Sequence, residues 1–107
     1  MKLRHYVYVI ELNAQVWSEP RFRQANPHYI DGKPFVYVGM TGRDPDLRFD
    51  QHKAGIKANR FAQRYGERLA IECMAELRQP MTANDAKYVE VDFAIRLRER
   101  GWGVWQA

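Results

Sequence analysis

The sequence predicts an α+β fold in which helices cover a small sheet. Three observations predict it. Two short segments rich in β-branched and aromatic residues fall within the first 39 positions, capped helical segments follow, and turn residues separate them. A length of 107 residues fits one domain, and no linker, repeat or low-complexity tract divides residues 1–107.

His5–Leu12 is almost continuously apolar and β-branched, which predicts a strand inside the sheet rather than at its edge. Phe35–Gly39 repeats that character and predicts a second strand. Between them, residues 13–34 hold Pro20, Pro27, Asp31-Gly32 and Pro34, all turn or breaker signals. Asp31-Gly32 just before the second strand predicts an antiparallel hairpin with a long connection, and such connections in small domains are commonly functional. Asp44 followed by Pro45 predicts a helix start, with Asp44 capping free amides and Pro45 at the first helical position. That helix should run to about Gly55, and a shorter one over residues 58–65 should stop at Gly66. Leu69–Met74 follows a helix stop and reads as a strand. Thr82–Arg100 predicts the longest helix, capped by Thr82 or Asn84 and ended by Gly101. The aromatic tail from Trp102 should pack back on the body.

Composition excludes several classes. Hydrophobic residues make up 46% of the chain and aromatic residues 13%, which argues against intrinsic disorder. Cys73 is the only cysteine, so an internal disulfide and a cysteine-based zinc site are excluded, and a reducing compartment fits. The N-terminal apolar run meets Glu11 too early for a signal peptide, and nothing approaches the ~18 apolar residues of a membrane span. A cytoplasmic protein without membrane contact is expected.

The net charge of +4 hints weakly at an anionic partner. Its distribution says more. Lys53, Lys57, Arg60, Arg64 and Arg68 recur at intervals of three or four residues, with Glu67 the only acid among them. On helices they would line one side, either as an ordinary solvated face or as a track for nucleic-acid phosphates.

Glu90 is the most informative position for chemistry. Its helix places it in a stripe with Ala86, Phe93, Ala94 and Leu97 that should face the core. A carboxylate there costs several kcal/mol unless it is paired, protonated or metal-bound. It reads either as a buried salt bridge to Arg48, Arg60 or another arginine, or as a ligand for a hard divalent cation. Arg48 and His52 lie four apart and leave the same helix face, able to hold a phosphate and move a proton near neutral pH. Tyr6 and Tyr8 point to one face of the first strand, and Tyr37 lies on the second. Strand tyrosines usually pack; one acts as a base only if nearby cations lower its pKa from ~10.

Together these residues resemble the GIY-YIG nuclease superfamily. Tyr6-Val7-Tyr8 matches the first motif with Tyr6 in place of glycine, and Tyr37-Val38-Gly39 matches the second. Arg48, Phe49 and His52 match the arginine, bulky residue and histidine that follow, and Glu90 matches the glutamate of the later helix. The resemblance covers residues 5 to about 105. It implies a three-stranded antiparallel sheet flanked by helices. It also implies a metal-dependent endonuclease, structure-selective or weakly sequence-specific, acting on DNA ahead of RNA with Mg²⁺, or Mn²⁺ in its place. On that basis Glu90 holds the metal, Arg48 binds the scissile phosphate, Tyr8 or Tyr37 activates or positions water, and His52 relays a proton. Lys53, Lys57, Arg60, Arg64 and Arg68 become the backbone track.

The departures are specific. Residues 13–34 make the interval between the tyrosine motifs longer than the family's compact hairpin, as an insertion would. The asparagine many members carry near the domain's end has only Gln106 nearby, to which no role is assigned. No DNA-targeting domain is attached within the 107 residues, so a targeting protein partner is expected. Two other readings stand beside the nuclease. One is a non-catalytic nucleic-acid-binding module on the same scaffold. The other is a protein-interaction domain that docks through Trp17, Phe22 and Tyr29.

Overall fold

Strand β1 (Tyr6–Leu12) is the centre of the architecture, because it has a strand on each side and apolar side chains on both faces. In the computed structural model, which describes residues 2–107, it pairs antiparallel with β2 (Phe35–Thr41) and with β3 (Gly66–Leu69). A fourth strand, β4 (Gly103–Gln106), runs parallel to β2 on the far edge, so the order is β3-β1-β2-β4. The mixed four-stranded sheet replaces the three-stranded antiparallel sheet expected. The difference lies in the aromatic tail, which does not merely pack on the body but adds its backbone to the sheet edge.

Side chains alternate across the sheet and build two cores. Val7, Val9, Val36, Val38 and Val104 face the long helix α5 (Ala83–Glu99), which covers them with Ala86, Phe93, Ala94 and Leu97. Thr82 caps that helix by accepting from the Asp85 N–H, and Gly101 ends it at φ +87°, a left-handed turn that suits glycine. Tyr8, Ile10, Leu12 and Tyr37 fill the opposite face under three short segments. These are α1 (Pro20–Gln24), α2 (Pro45–Lys53) and α3 (Arg60–Tyr65). Asp44 and Pro45 begin α2 as the sequence predicts, the Asp44 carboxylate accepting from the Asp46 N–H. Leu69–Met74 is corrected: the strand starts at Gly66 and ends at Leu69, and Ile71–Met74 forms a helical turn, α4. The reason is packing. The Ala70 N–H completes the pairing to Val9, after which Cys73 turns inward and Ile71 stays exposed.

The long connection between β1 and β2 is folded rather than loose. Residues 14–18 form a 3-10 turn, α1 follows, and Trp17, Tyr29 and Phe35 stack with centroid separations of 4.6–6.0 Å. Phe22 is fully buried beneath them. Trp17 and Tyr29 remain half-buried, and of the three aromatics of the interaction-domain reading only Phe22 is lost to the interior.

Two side-chain amides act as short pieces of strand. Asn26, in the connection between β1 and β2, accepts from the Val104 N–H at 2.8 Å and donates to the Val104 carbonyl at 3.0 Å, closing the outer edge of β4. Gln79 does the same for Val7 of β1 at 2.8 and 3.1 Å, just beyond the end of β3. Each satisfies a backbone pair that would otherwise be left without a strand partner. Asn26 also donates to the Phe22 carbonyl and accepts from Arg98. Asn26→Ala is therefore expected to destabilise the protein by about 3 kcal/mol, since it strands several buried polar groups at once. Chemical denaturation checks this; a loss under about 1 kcal/mol would mean that β4 holds its place without Asn26.

Candidate functional site

Four of the residues singled out from the sequence meet over one face of the sheet. Tyr8 and Tyr37 rise from β1 and β2 on the same face, with ring centroids 6.2 Å apart. Helix α2 lies above them and lowers His52 between the two rings, 5.9 Å from Tyr8 and 5.2 Å from Tyr37. All three are buried. Gly39 explains why the rings fit. It pairs directly with Tyr8 across the strands, and a Cβ there would lie 2.6 Å from the Tyr8 hydroxyl and 3.1 Å from the Tyr37 ring. The glycine after Tyr37-Val38 is thus the bed for Tyr8. Gly39→Ala should drive the Tyr8 ring off His52 and cost about 1–3 kcal/mol of stability through overpacking. The Tyr8–His52 contact reports it: an unchanged His52 imidazole NMR signature in Gly39→Ala would contradict this account.

The hydrogen bonds of His52 fix its role. The Asn59 backbone N–H donates to Nδ1 at 3.1 Å, and a backbone amide can only donate. Nδ1 is therefore unprotonated, and the neutral ring carries its proton on Nε2, which lies 2.8 Å from the Tyr8 hydroxyl oxygen. His52 donates and Tyr8 accepts. Burial, with the nearby Arg48 charge, lowers the His52 pKa to about 4, so the ring is neutral at physiological pH. Burial also raises the phenols of Tyr8 and Tyr37 above their usual range. Arg48 pulls both the other way without overcoming burial. The expectation that a neighbouring arginine lowers a tyrosine pKa is therefore outweighed in the protein by itself. A relay through His52 is likewise reshaped, because its Nδ1 is capped by the protein's own backbone.

Arg48 has a second task. Its guanidinium donates to the carbonyls of Ile56 and Lys57 at 3.2 and 2.8 Å and to Gln51 at 3.3 Å, tying α2 to the loop that follows it.

Glu90 comes from α5, on the other side of the sheet. Strand β4 stops opposite Val38, so Gly39–Thr41 have no neighbour on that side, and Glu90 sits at the stop. The Gln106 amide donates to Glu90 Oε1 at 2.6 Å. Glu90 is only 6% exposed, and among the described residues no cation forms an ion pair with it. Both arginines offered as partners are engaged elsewhere, Arg48 on the loop carbonyls and Arg60 on Glu19. Burial raises the Glu90 pKa, opposed by the Gln106 hydrogen bond and by the nearby Lys87 charge. Its charge is also felt at Tyr37, whose phenol it helps to raise, which ties Glu90 electrostatically to the tyrosine cluster. Gln106 is the residue that sequence reasoning left without a role. Its only signal was its place near the chain's end.

Among the described residues no group of three His, Cys, Asp or Glu is close enough to form a protein-only metal cage. A single carboxylate fits a different mode, since Mg²⁺ keeps most of its waters and commonly takes one or two carboxylates plus substrate phosphate.

Three of the five basic residues of the expected stripe meet carboxylates. Arg60 and Arg64 both approach Glu19, at 3.0 and 3.6 Å. Arg68 is held by Glu11 and Glu72, and the Lys53 ammonium donates to the carbonyls of Gln63 and Gly66. Only Lys57 of the five has no such partner among the described residues.

No protein-family model, curated protein or solved structure matches the chain. No helix among the described residues is long and apolar enough to cross a membrane.

Proposed function

We propose that the protein is a divalent-metal-dependent endonuclease of the GIY-YIG type that hydrolyses phosphodiester bonds, in DNA ahead of RNA. The observation that carries this reading is Glu90, a buried carboxylate beside the end of β4 with no ion-pair partner within 4 Å among the described residues. A protein keeps such a group at a cost, and a bound divalent cation would offset that cost. Glu90, oriented by Gln106, would hold Mg²⁺ or Mn²⁺, and the metal would supply Lewis-acid stabilisation of charge on a phosphate. The order of the motifs supports the same reading: Tyr8, Tyr37, Arg48, His52 and Glu90 all match the family's pattern, and four of them converge in space.

The remaining roles follow from the hydrogen bonds. Tyr8 is the group that positions or deprotonates the attacking water, with its oxygen held by the His52 N–H. That donated hydrogen bond favours the phenolate whenever the Tyr8 proton leaves, which suits His52 better to holding Tyr8 than to carrying its proton. Tyr37 packs against both rings. Arg48 binds substrate phosphate, on a guanidinium already anchored to the loop.

The reading is tested by incubating the protein with supercoiled plasmid, single strands, branched duplexes and RNA, in Mg²⁺, Mn²⁺ and EDTA. Cleavage that needs metal supports it and identifies the preferred substrate. Binding without cleavage in either metal would replace it with the non-catalytic nucleic-acid module.

A further inference from the structure

We propose that the groove beside Arg48 is a second phosphate subsite, which seats a backbone phosphate of a nucleic-acid strand next to the one being processed. This rests on the nuclease reading for the identity of the strand, but its evidence is separate. The groove encloses about 680 Å³ between the start of β1, the turn after β2 and the loop after α2. That volume lies within the ~300–1,000 Å³ typical of ligand sites. Its lining includes Arg4, Arg43, Arg48 and Lys57 together with His5, and contains no carboxylate.

The charges here differ from those of Arg60, Arg64 and Arg68 in the basic stripe. Arg60, Arg64, Arg68, Arg96 and Arg100 each have an acidic partner within 4 Å. Among the described residues, the side chains of Arg4, Arg43 and Lys57 form neither an ion pair nor a hydrogen bond within the protein. Three unpartnered cations around one concavity repel one another, and a phosphate diester placed among them removes that repulsion.

The groove is built rather than incidental. Lys57 adopts φ +46°, the only non-glycine residue with positive φ among those described. That conformation holds its carbonyl on the Arg48 guanidinium at 2.8 Å while its ammonium stem stands at the rim. Strained backbone of this kind persists where surrounding contacts impose it, commonly at ligand sites. At the floor, Gly42 leaves room for the His5 ring, since a Cβ there would lie 3.1 Å from Nε2. His5 Nδ1 is buried with no hydrogen-bond partner, a polar group that the fold itself does not explain. Arg48 joins the groove to the tyrosine–histidine cluster, whose phenols feel its charge. A strand crossing Arg48 would therefore place one phosphate on its guanidinium beside the cluster and the next in the groove. The backbone track is thereby moved from the α3 stripe to this edge of the sheet.

The test is metal-free binding of a fluorescent single-stranded oligonucleotide in EDTA, measured across a salt series. It compares the wild type, an Arg4→Gln/Arg43→Gln/Lys57→Asn variant and an Arg60→Gln/Arg64→Gln variant. The groove residues are exposed, and Asn tolerates the left-handed conformation at position 57, so the fold should survive; thermal unfolding verifies it. At about 0.7 per neutralised phosphate on a single strand, the slope of log K against log salt should shrink by about 2 in the groove variant and by less than about 0.5 in the α3 variant. An unchanged slope in the groove variant, or an equal loss in the α3 variant, overturns the proposal. Inorganic phosphate is titrated at constant ionic strength as a second arm. Phosphate binding lost in the groove variant while the oligonucleotide slope is kept would make this a free-anion site and overturn the strand assignment. Failures separate cleanly. Metal-dependent cleavage by a wild type whose slope ignores the groove overturns the subsite alone, whereas groove-dependent binding without cleavage overturns the nuclease reading alone.

Discussion

Tyr8→Phe is expected to lower cleavage by about 10²- to 10⁴-fold, the range that positioned acid–base groups contribute. The substitution keeps the ring in its bed over Gly39 and deletes only the oxygen that His52 holds. Binding in EDTA should be unchanged, because the phenol is buried and uncharged. Stability should fall by about 1–3 kcal/mol, as the His52 N–H loses its buried acceptor. Tyr37→Phe provides the contrast, since no comparable hydrogen bond ties Tyr37 to His52, and its cleavage defect should be the smaller of the two. Turnover by Tyr8→Phe within about threefold of the wild type, well below the range for acid–base groups, would remove Tyr8 from the chemistry.

Glu90→Gln should abolish cleavage, a loss of about a thousandfold or more if the metal contributes the several kcal/mol usual for such ions. The same variant carries an opposite prediction for stability. Burial raises the Glu90 pKa above its usual value, so folding is penalised when the carboxylate is charged. A raised acid pKa means that the native state binds the proton more tightly, and the wild type loses stability as pH climbs from the ordinary carboxylate value through the folded one. The neutral amide has no such penalty. In metal-free buffer Glu90→Gln should therefore be more stable than the wild type at pH 7–8, and the gap should close as pH falls below the carboxylate range. Thermal unfolding across pH in EDTA measures it. A variant less stable than the wild type at pH 8 would mean that the carboxylate already has a favourable partner in the protein. A residue that costs stability and is needed for activity is the signature expected of a metal ligand, and not of a structural ion pair.

The sequence made the site more legible than the sheet. Glu90 announces itself because a carboxylate at a core-facing helical position has few structural uses, and Arg48 and His52 because they leave one helix face four residues apart. Tyr8 and Tyr37 share a face because strand side chains alternate, and that parity survives any uncertainty about strand ends. The fourth strand was hidden because four residues, Gly103–Gln106, carry too little pattern to separate a strand from an aromatic tail. What makes them a strand is tertiary: β2 offers a free edge, and Asn26 closes the other side. Asn26 and Gln79 look like ordinary turn residues until their backbone partners, 78 and 72 positions away, are known. Around the basic stripe, Glu11, Glu19 and Glu72 are brought to Arg60, Arg64 and Arg68 only by folding. Local charge counts cannot see neutralisation by distant acids, nor the convergence of Arg4, Arg43 and Lys57 on one groove.

The most direct measurement is plasmid cleavage by the wild type and Glu90→Gln side by side, in Mg²⁺ and in EDTA, at protein concentrations giving equal bound DNA. The account predicts nicking by the wild type in Mg²⁺ alone and none by the variant. Equal nicking by both proteins, or nicking that persists in EDTA, would contradict the assignment of Glu90 as the residue on which the chemistry depends.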